Sequence, residues 1–305
     1  MHLCSQNRTI RLLALLALSW SVTAARADLL VGSNRTDAVL RFNQCTGELI
    51  DEFIAAGSGG LSRPGGIALG ADGNLYVSSN ATDSILRYSG ADGSYIDLFV
   101  APGSGGLHKP SALIFGPDGN LYVNSQGTDS VLSYDGTTGE FLGAFVSQGS
   151  GGLSQPSNGL VFGPDGNLYV NSHATNAILR YNGATGEFID AFVPSGTEEL
   201  VQPAGLTFGA DGNLYVASHG PNPVLRYDGI TGELIDVFVP SGSGMIGNPT
   251  SLRFGPDGNL YVDSRRNSRV LLFDGMSGEF IDTFVPQGTG GLSGPNSMLF
   301  FTPGS

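Results

Sequence analysis

The sequence predicts an all-β protein, a six-bladed β-propeller of four-stranded antiparallel blades. Three observations point there. The phrase Asp-Gly-Asn-Leu-Tyr-Val occurs five times, starting at Asp72, Asp118, Asp165, Asp211 and Asp257. The intervals between copies, 46, 47, 46 and 46 residues, are the period of a propeller or another repeat array. The chain also carries 47 glycines and 16 prolines in 305 residues with little helical periodicity, which suits short strands joined by tight turns.

Each unit reads as four strands. In one copy they are "SALIF" (Ser111–Phe115), "NLYVNS" (Asn120–Ser125), "SVLSY" (Ser130–Tyr134) and "EFLGAFV" (Glu140–Val146). "GPDG" joins the first two and "DGTTG" the last two. In both turns glycine accepts the left-handed conformation that such a hairpin needs, and in "GPDG" the proline also presets φ. Four short strands joined by local hairpins make a propeller blade.

The "LYV" strand occurs six times if "LLV" at Leu29 is counted, and the outermost strand occurs six times, at Ile50, Ile96, Leu142, Ile189, Ile235 and Ile281. The Pro-led innermost strand also occurs six times but is offset: the first starts at Pro64, and the last, from Pro295, has nothing after it. The N-terminus is therefore expected to supply three strands of a blade and the C-terminus its innermost one, closing the ring and removing unpaired ends. The repeated Leu, Tyr, Val and Phe positions are expected to fill the spaces between blades. The outermost-strand acids (Asp51, Asp97, Asp190, Asp236, Asp282) are expected to discourage edge-to-edge aggregation.

Residues 1–27 read as a secretory signal peptide: Arg8 and Arg11, the apolar run Leu12 to Val22, and the small-x-small site Ala25-Arg26-Ala27. Cleavage near Ala27-Asp28 would leave residues 28–305 as one propeller domain, a secreted or periplasmic monomer. No other segment is long and apolar enough to span a bilayer. Removing the leader's three arginines takes the net charge from −13 to −16 and leaves Cys45 as the one cysteine, so no intrachain disulfide can form. Such an acidic chain repels phosphate backbones, which disfavours nucleic acid as a partner.

One face of the ring is expected to hold the repeated "PDG" and "DGxTGE" turns, which hardly vary. The other face holds the second-to-third turns and the blade linkers, and the copies differ there. After each "LYVxS" comes one changing residue: Asn34, Asn80, Gln126, His173, His219 and Arg265. These should ring the mouth of the central channel. Arg35, Arg63, Lys109, Arg265, Arg266 and Arg269 fall in or beside the same loops, whereas Arg41, Arg87, Arg180 and Arg226 belong to the repeated third strand. Closure would bring Arg35 beside Arg265 and Arg266. A basic patch of this kind on an acidic protein can hold a carboxylate, a sulfate or a sugar acid. His173 and His219 occupy equivalent places in adjacent blades, but a catalytic zinc site wants three protein ligands and only His108 is left to offer.

At "GLTFGADGNLYVASHGPNPVLRYD" (Gly205–Asp228) the chain resembles NHL repeats, and it is similar to the streptogramin B (virginiamycin B) lyase type of repeat protein. The resemblance covers nearly the whole chain after the leader and implies the propeller fold. Streptogramin lyases use His and Glu at the channel mouth, with a Pro-His step in the innermost strand. Here Gly65, Ser111, Ser157, Ala204, Thr250 and Asn296 follow those prolines. Peptidyl-amidoglycolate lyases place zinc-binding His just before the third strand, where this chain has Asp83, Asp129, Asn176 and Ser268. Gluconolactonase-like propellers hold a divalent cation partly through the Asn of "NGL", which Asn158 in "PSNGLVFGPDG" matches, in the one blade with an extra residue.

The sequence therefore leads to a secreted, non-enzymatic propeller with no cofactor, which binds a protein or a small anionic or carbohydrate ligand on its variable-loop face. The alternative is a lyase or metal-dependent lactonase at the same mouth, with calcium or zinc and Asn158 as a ligand.

Overall fold

The computed structural model describes residues 27–196, 199–220 and 223–302. Of the expected leader, residues 1–26 lie outside the described residues. Twenty-four strands, from β1 (Asp28–Ser33) to β24 (Pro295–Phe301), form six sheets of four. The second blade shows the pattern: β4 (Pro64–Leu69) is innermost, followed by β5 (Leu75–Ser79), β6 (Ser84–Tyr88) and β7 (Tyr95–Val100), each antiparallel to the next. Blade one has the order β24, β1, β2 (Ala38–Phe42), β3 (Leu49–Ile54). Its closing ladder runs from Asp28 opposite Phe301 to Ser33 opposite Pro295. The ring is thus closed by the two ends of the fold, as the offset of the strand types implied.

Strand alternation sends apolar side chains to both faces of every blade, so each hydrophobic cluster is shared between neighbours. Leu30, Val39, Phe53, Ile54 and Phe301 of blade one pack with Ile67, Leu75, Val77, Leu86 and Tyr88 of blade two. Burying each such side chain contributes about 1.5–3 kcal/mol. The repeated tyrosine sits edge-on to two phenylalanines: the ring of Tyr76 is 4.7 Å from Phe99 and 4.9 Å from Phe115. Its hydroxyl donates to Asp72 Oδ2 (3.0 Å), while Asp72 Oδ1 accepts the Asn74 N–H (3.1 Å). The repeated Asp therefore anchors the tyrosine as well as forming the turn. Burial would raise its pKa, but the bonds from Asn74 and Tyr76 and the charge of Arg87 outweigh burial and hold it low. The glycine of the "TGE" turn is a close-approach position. At Gly47 (φ 67°) a Cβ would lie 1.9 Å from the Phe284 carbonyl oxygen of the neighbouring blade.

Four of the five outermost-strand acids are more than edge protection. Asp51, Asp97, Asp190 and Asp236 pair with Arg41, Arg87, Arg180 and Arg226 on the adjacent strand. Each guanidinium also lies 4.9–5.4 Å from the centre of a phenylalanine ring. In blade six the position opposite Asp282 is Leu272, and Asp282 instead accepts the Thr283 N–H.

Two innermost strands are shorter than the Pro-led pattern suggests: β12 (Leu160–Phe162) and β20 (Leu252–Phe254) have three residues where β4 has six. Side chains of the next strand take over the backbone bonds there. Asn171 Oδ1 accepts the N–H groups of Ser157 and Gly159, and Asp263 Oδ1 those of Thr250 and Ser251. Both substitutions of side chain for ladder occur where the strand meets the channel.

Candidate functional site at the channel mouth

The turn after each second strand stands over the central channel, which is why one variable residue per blade arrives there. Asn34, Asn80, Gln126, His173, His219 and Arg265 line a single cavity of about 180 Å³, joined by Arg63 from the first linker. Arg35 and Arg266 lie outside it. They line an adjoining cavity of about 410 Å³, and His219 and Arg265 belong to both. The seam between blades six and one thus leads from the mouth outward through Arg265.

Four of the six ring residues also fasten the ring. Asn34 Nδ2 donates to the Pro64 carbonyl (3.0 Å) and Asn80 Nδ2 to that of Pro110 (3.0 Å), in each case the first residue of the next inner strand. His173 Nδ1 meets the Pro203 carbonyl (3.1 Å) and His219 Nε2 that of Pro249 (3.0 Å). A carbonyl only accepts, so those ring nitrogens carry the hydrogen. The imidazoles stand edge to face, 5.4 Å apart. Burial, then the neighbouring His173 and Arg265, push the pKa of His219 down to about 4, so it is a neutral ring with Nδ1 as an acceptor at physiological pH. Repetition alone does not reveal this latch, because it depends on two consecutive blades.

Arg265 is half-buried, whereas Arg35, Arg63 and Arg266 are exposed. Its pKa is lowered by burial and by Arg35 and Arg63, against the pull of Asp263. Its Nη2 donates to Asn34 Oδ1 (3.2 Å), across the closure seam. Among the described residues no carboxylate forms an ion pair with Arg35, Arg63, Arg265 or Arg266. Asp263 lies behind the wall, fully buried, and accepts two backbone N–H groups and the Thr250 hydroxyl (2.6 Å). Burial outweighs those bonds and Arg265, raising its pKa to about 7.

Asn158 does not stand free. Its Nδ2 donates to the backbone carbonyl of Asn296 (2.8 Å) and to Asn296 Oδ1 (3.1 Å), and Asn296 Nδ2 donates to the Gly65 carbonyl (3.2 Å). Asn158 belongs to blade four and Asn296 to blade one, so the bond spans the channel and floors the mouth. The extra residue of blade four lies in this same stretch, between Pro156 and Asp165. Among the described residues no three His, Cys, Asp or Glu side chains group closely enough to hold a metal ion. Calorimetric titration with Ca²⁺ or Zn²⁺ is expected to give no stoichiometric heat. A heat abolished by Asn158→Ala would instead establish the cation site.

Sequence reasoning put Arg63 beside the variable loops but not in the ring, and passed over Asn296 and Thr250 as mouth residues, although both follow the prolines of their inner strands. It also passed over Arg253, the one arginine of an innermost strand.

No protein-family model matches the chain, and no curated protein matches it. Solved structures do. A chain of the nidogen/laminin complex superposes with a TM-score of 0.69 at 17% identity, over 89% of this chain and 97% of that one. A protein of unknown function from Bacteroides caccae gives 0.64 at 15% identity, over 90% and 98%. A catalytically inactive virginiamycin B lyase from Staphylococcus aureus, solved with quinupristin, gives 0.60 at 15% identity, over 87% of each chain. At these identities the likeness is one of fold.

Proposed function

We propose that this protein is an exported, non-enzymatic propeller that binds a small anionic ligand of the carboxylate, sulfate or sugar-acid class at its variable-loop mouth. The observation that carries the reading is the set of Arg63, Arg265, Arg35 and Arg266 on two adjoining cavities, with no ion-pair partner among the described residues, in a chain of net charge −13. The surrounding Asn34, Asn80 and Gln126 amides and the neutral His219 suit the hydroxyls of such a ligand. A second reading is a lyase. It draws on the His173–His219 pair beside Arg265 and on the lyase among the structural neighbours. The nidogen/laminin neighbour was solved in a protein complex, and an acidic side chain of a protein partner would use the same arginines.

Calorimetry with glucuronate, sulfate and neutral glucose tests the proposal. Glucuronate or sulfate is expected to bind and glucose not to, with affinity falling as salt is raised. Charge-assisted contacts contribute about 1.5–3 kcal/mol each, so Arg265→Ala with Arg266→Ala should weaken binding about tenfold or more. Replacing Arg87 and Arg180, which pair with Asp97 and Asp190 at the periphery, should leave it unchanged if the variant folds. Equal losses from the two pairs, or salt-independent binding, would overturn the seam as the site. Consumption of the bound compound would favour the lyase.

A further inference from the structure

Arg253 lies below the mouth, in the middle of β20. At the same register the other inner strands carry Ala68, Ile114, Val161, Thr207 and Leu299. Its Nη1 donates to the carbonyls of Leu206 (3.3 Å) and Leu252 (3.2 Å). Those carbonyls belong to innermost strands, whose inner edges have no ladder partner. Among the described residues no carboxylate pairs with Arg253. Burial lowers its pKa, yet a guanidinium does not lose its proton in a protein, so the charge persists. Arg253 is half-buried, facing the narrow channel, and a partly desolvated charge without a counter-charge is costly.

Beside Arg253 lies a cavity of about 20 Å³ whose wall includes Ile67, Leu113, Leu160 and Met298, together with Asn158 and Asn296 of the channel bridge. A single water-sized sphere needs about 10–15 Å³ measured in this way. The space suits one atom-sized occupant and is narrow for a sugar, a phosphate ester or a tetrahedral oxyanion. We propose that Arg253 and the asparagine-bridged cavity beside it form a binding site for a monatomic anion, chloride in a physiological medium, separate from the mouth. The anion supplies the negative charge that the inner strands lack, and the Asn158–Asn296 bridge shields it from the mouth.

Two measurements on the full chain test this. Crystals soaked in sodium bromide are expected to show an anomalous bromine peak within hydrogen-bonding distance of the Arg253 guanidinium, and the lack of a peak there overturns the proposal. In an Arg265→Ala, Arg266→Ala background, where the mouth no longer holds a sugar acid well, thermal melts in sodium chloride are expected to exceed those in sodium gluconate at equal ionic strength, with a saturable difference that adding Arg253→Met removes. An equal response to chloride in that background and in a folded variant that adds Arg253→Met also overturns it. If that variant fails to fold, the bromide peak decides. Glucuronate binding at the mouth is read separately, so the failure of one site does not entail the failure of the other.

Discussion

A chain ending at Gly294 is expected to lose its cooperative thermal transition. Deleting residues 295–305 removes β24, leaves β1 paired only with β2, and exposes the faces of blades one, two and six that pack on Met298, Phe300 and Phe301. Met298 and Phe301 are 1% and 2% exposed, so their burial alone contributes about 1.5–3 kcal/mol each. The ladder and the loosened neighbouring clusters add to that, bringing the loss to the order of a whole domain's stability, about 5–15 kcal/mol. Circular dichroism during heating measures it. A truncated protein that melts with the full chain would show that the ring does not depend on this closure.

The second large effect concerns Asp263. Its carboxyl titrates near 7 in the folded protein against an ordinary 3.8, because burial outweighs its hydrogen bonds. Between those values the folded chain binds a proton that the unfolded chain has released. This group's contribution therefore favours folding below about pH 4 and declines as pH rises towards 7. A shift of that size corresponds to the order of 4 kcal/mol. Asp72, Asp165 and Asp211 are shifted the other way, so the whole-protein profile mixes both signs. The informative quantity is the difference between the parent and Asp263→Asn in urea unfolding at about pH 5 and about pH 8. Asn124 and Asn171 occupy the equivalent place in blades three and four, and Asn171 Oδ1 accepts the corresponding N–H groups. Asp263→Asn is expected to fold and to be more stable than the parent at the higher pH, with the advantage shrinking at the lower. Asp263→Ala strands the N–H groups of Thr250 and Ser251, at about 1–3 kcal/mol each, and should destabilise at both. Parent and Asp263→Asn curves that run parallel would show that Asp263 does not titrate in this range.

Much of the scaffold was legible before any coordinates. A phrase repeated every 46 or 47 residues names its own strands and hairpins, because each blade is built from local contacts that the same residues recreate. The offset of the Pro-led strand encoded the closing pair, and the one variable residue after each "LYVxS" located the mouth, since strand length places it over the channel. Repetition also disguised some roles. The repeated acid before the turn glycine showed no partner in the sequence, and only the packed blade shows Tyr76 reaching Asp72.

By itself, then, the sequence determined the blade count, the closure and the residues that ring the channel, all properties of periodicity and local turn chemistry. The tertiary structure decided what those residues touch. Asn158 meets Asn296 although 138 positions separate them, and Arg253 bonds Leu206 in the neighbouring blade. His219 is held neutral by enclosure beside His173 and Arg265. The pKa of Asp263 is raised because its carboxyl is fully buried once the blades pack. Each of these is a long-range effect of burial or distance, set when the ring closes, whereas a repeat records only what every blade has in common.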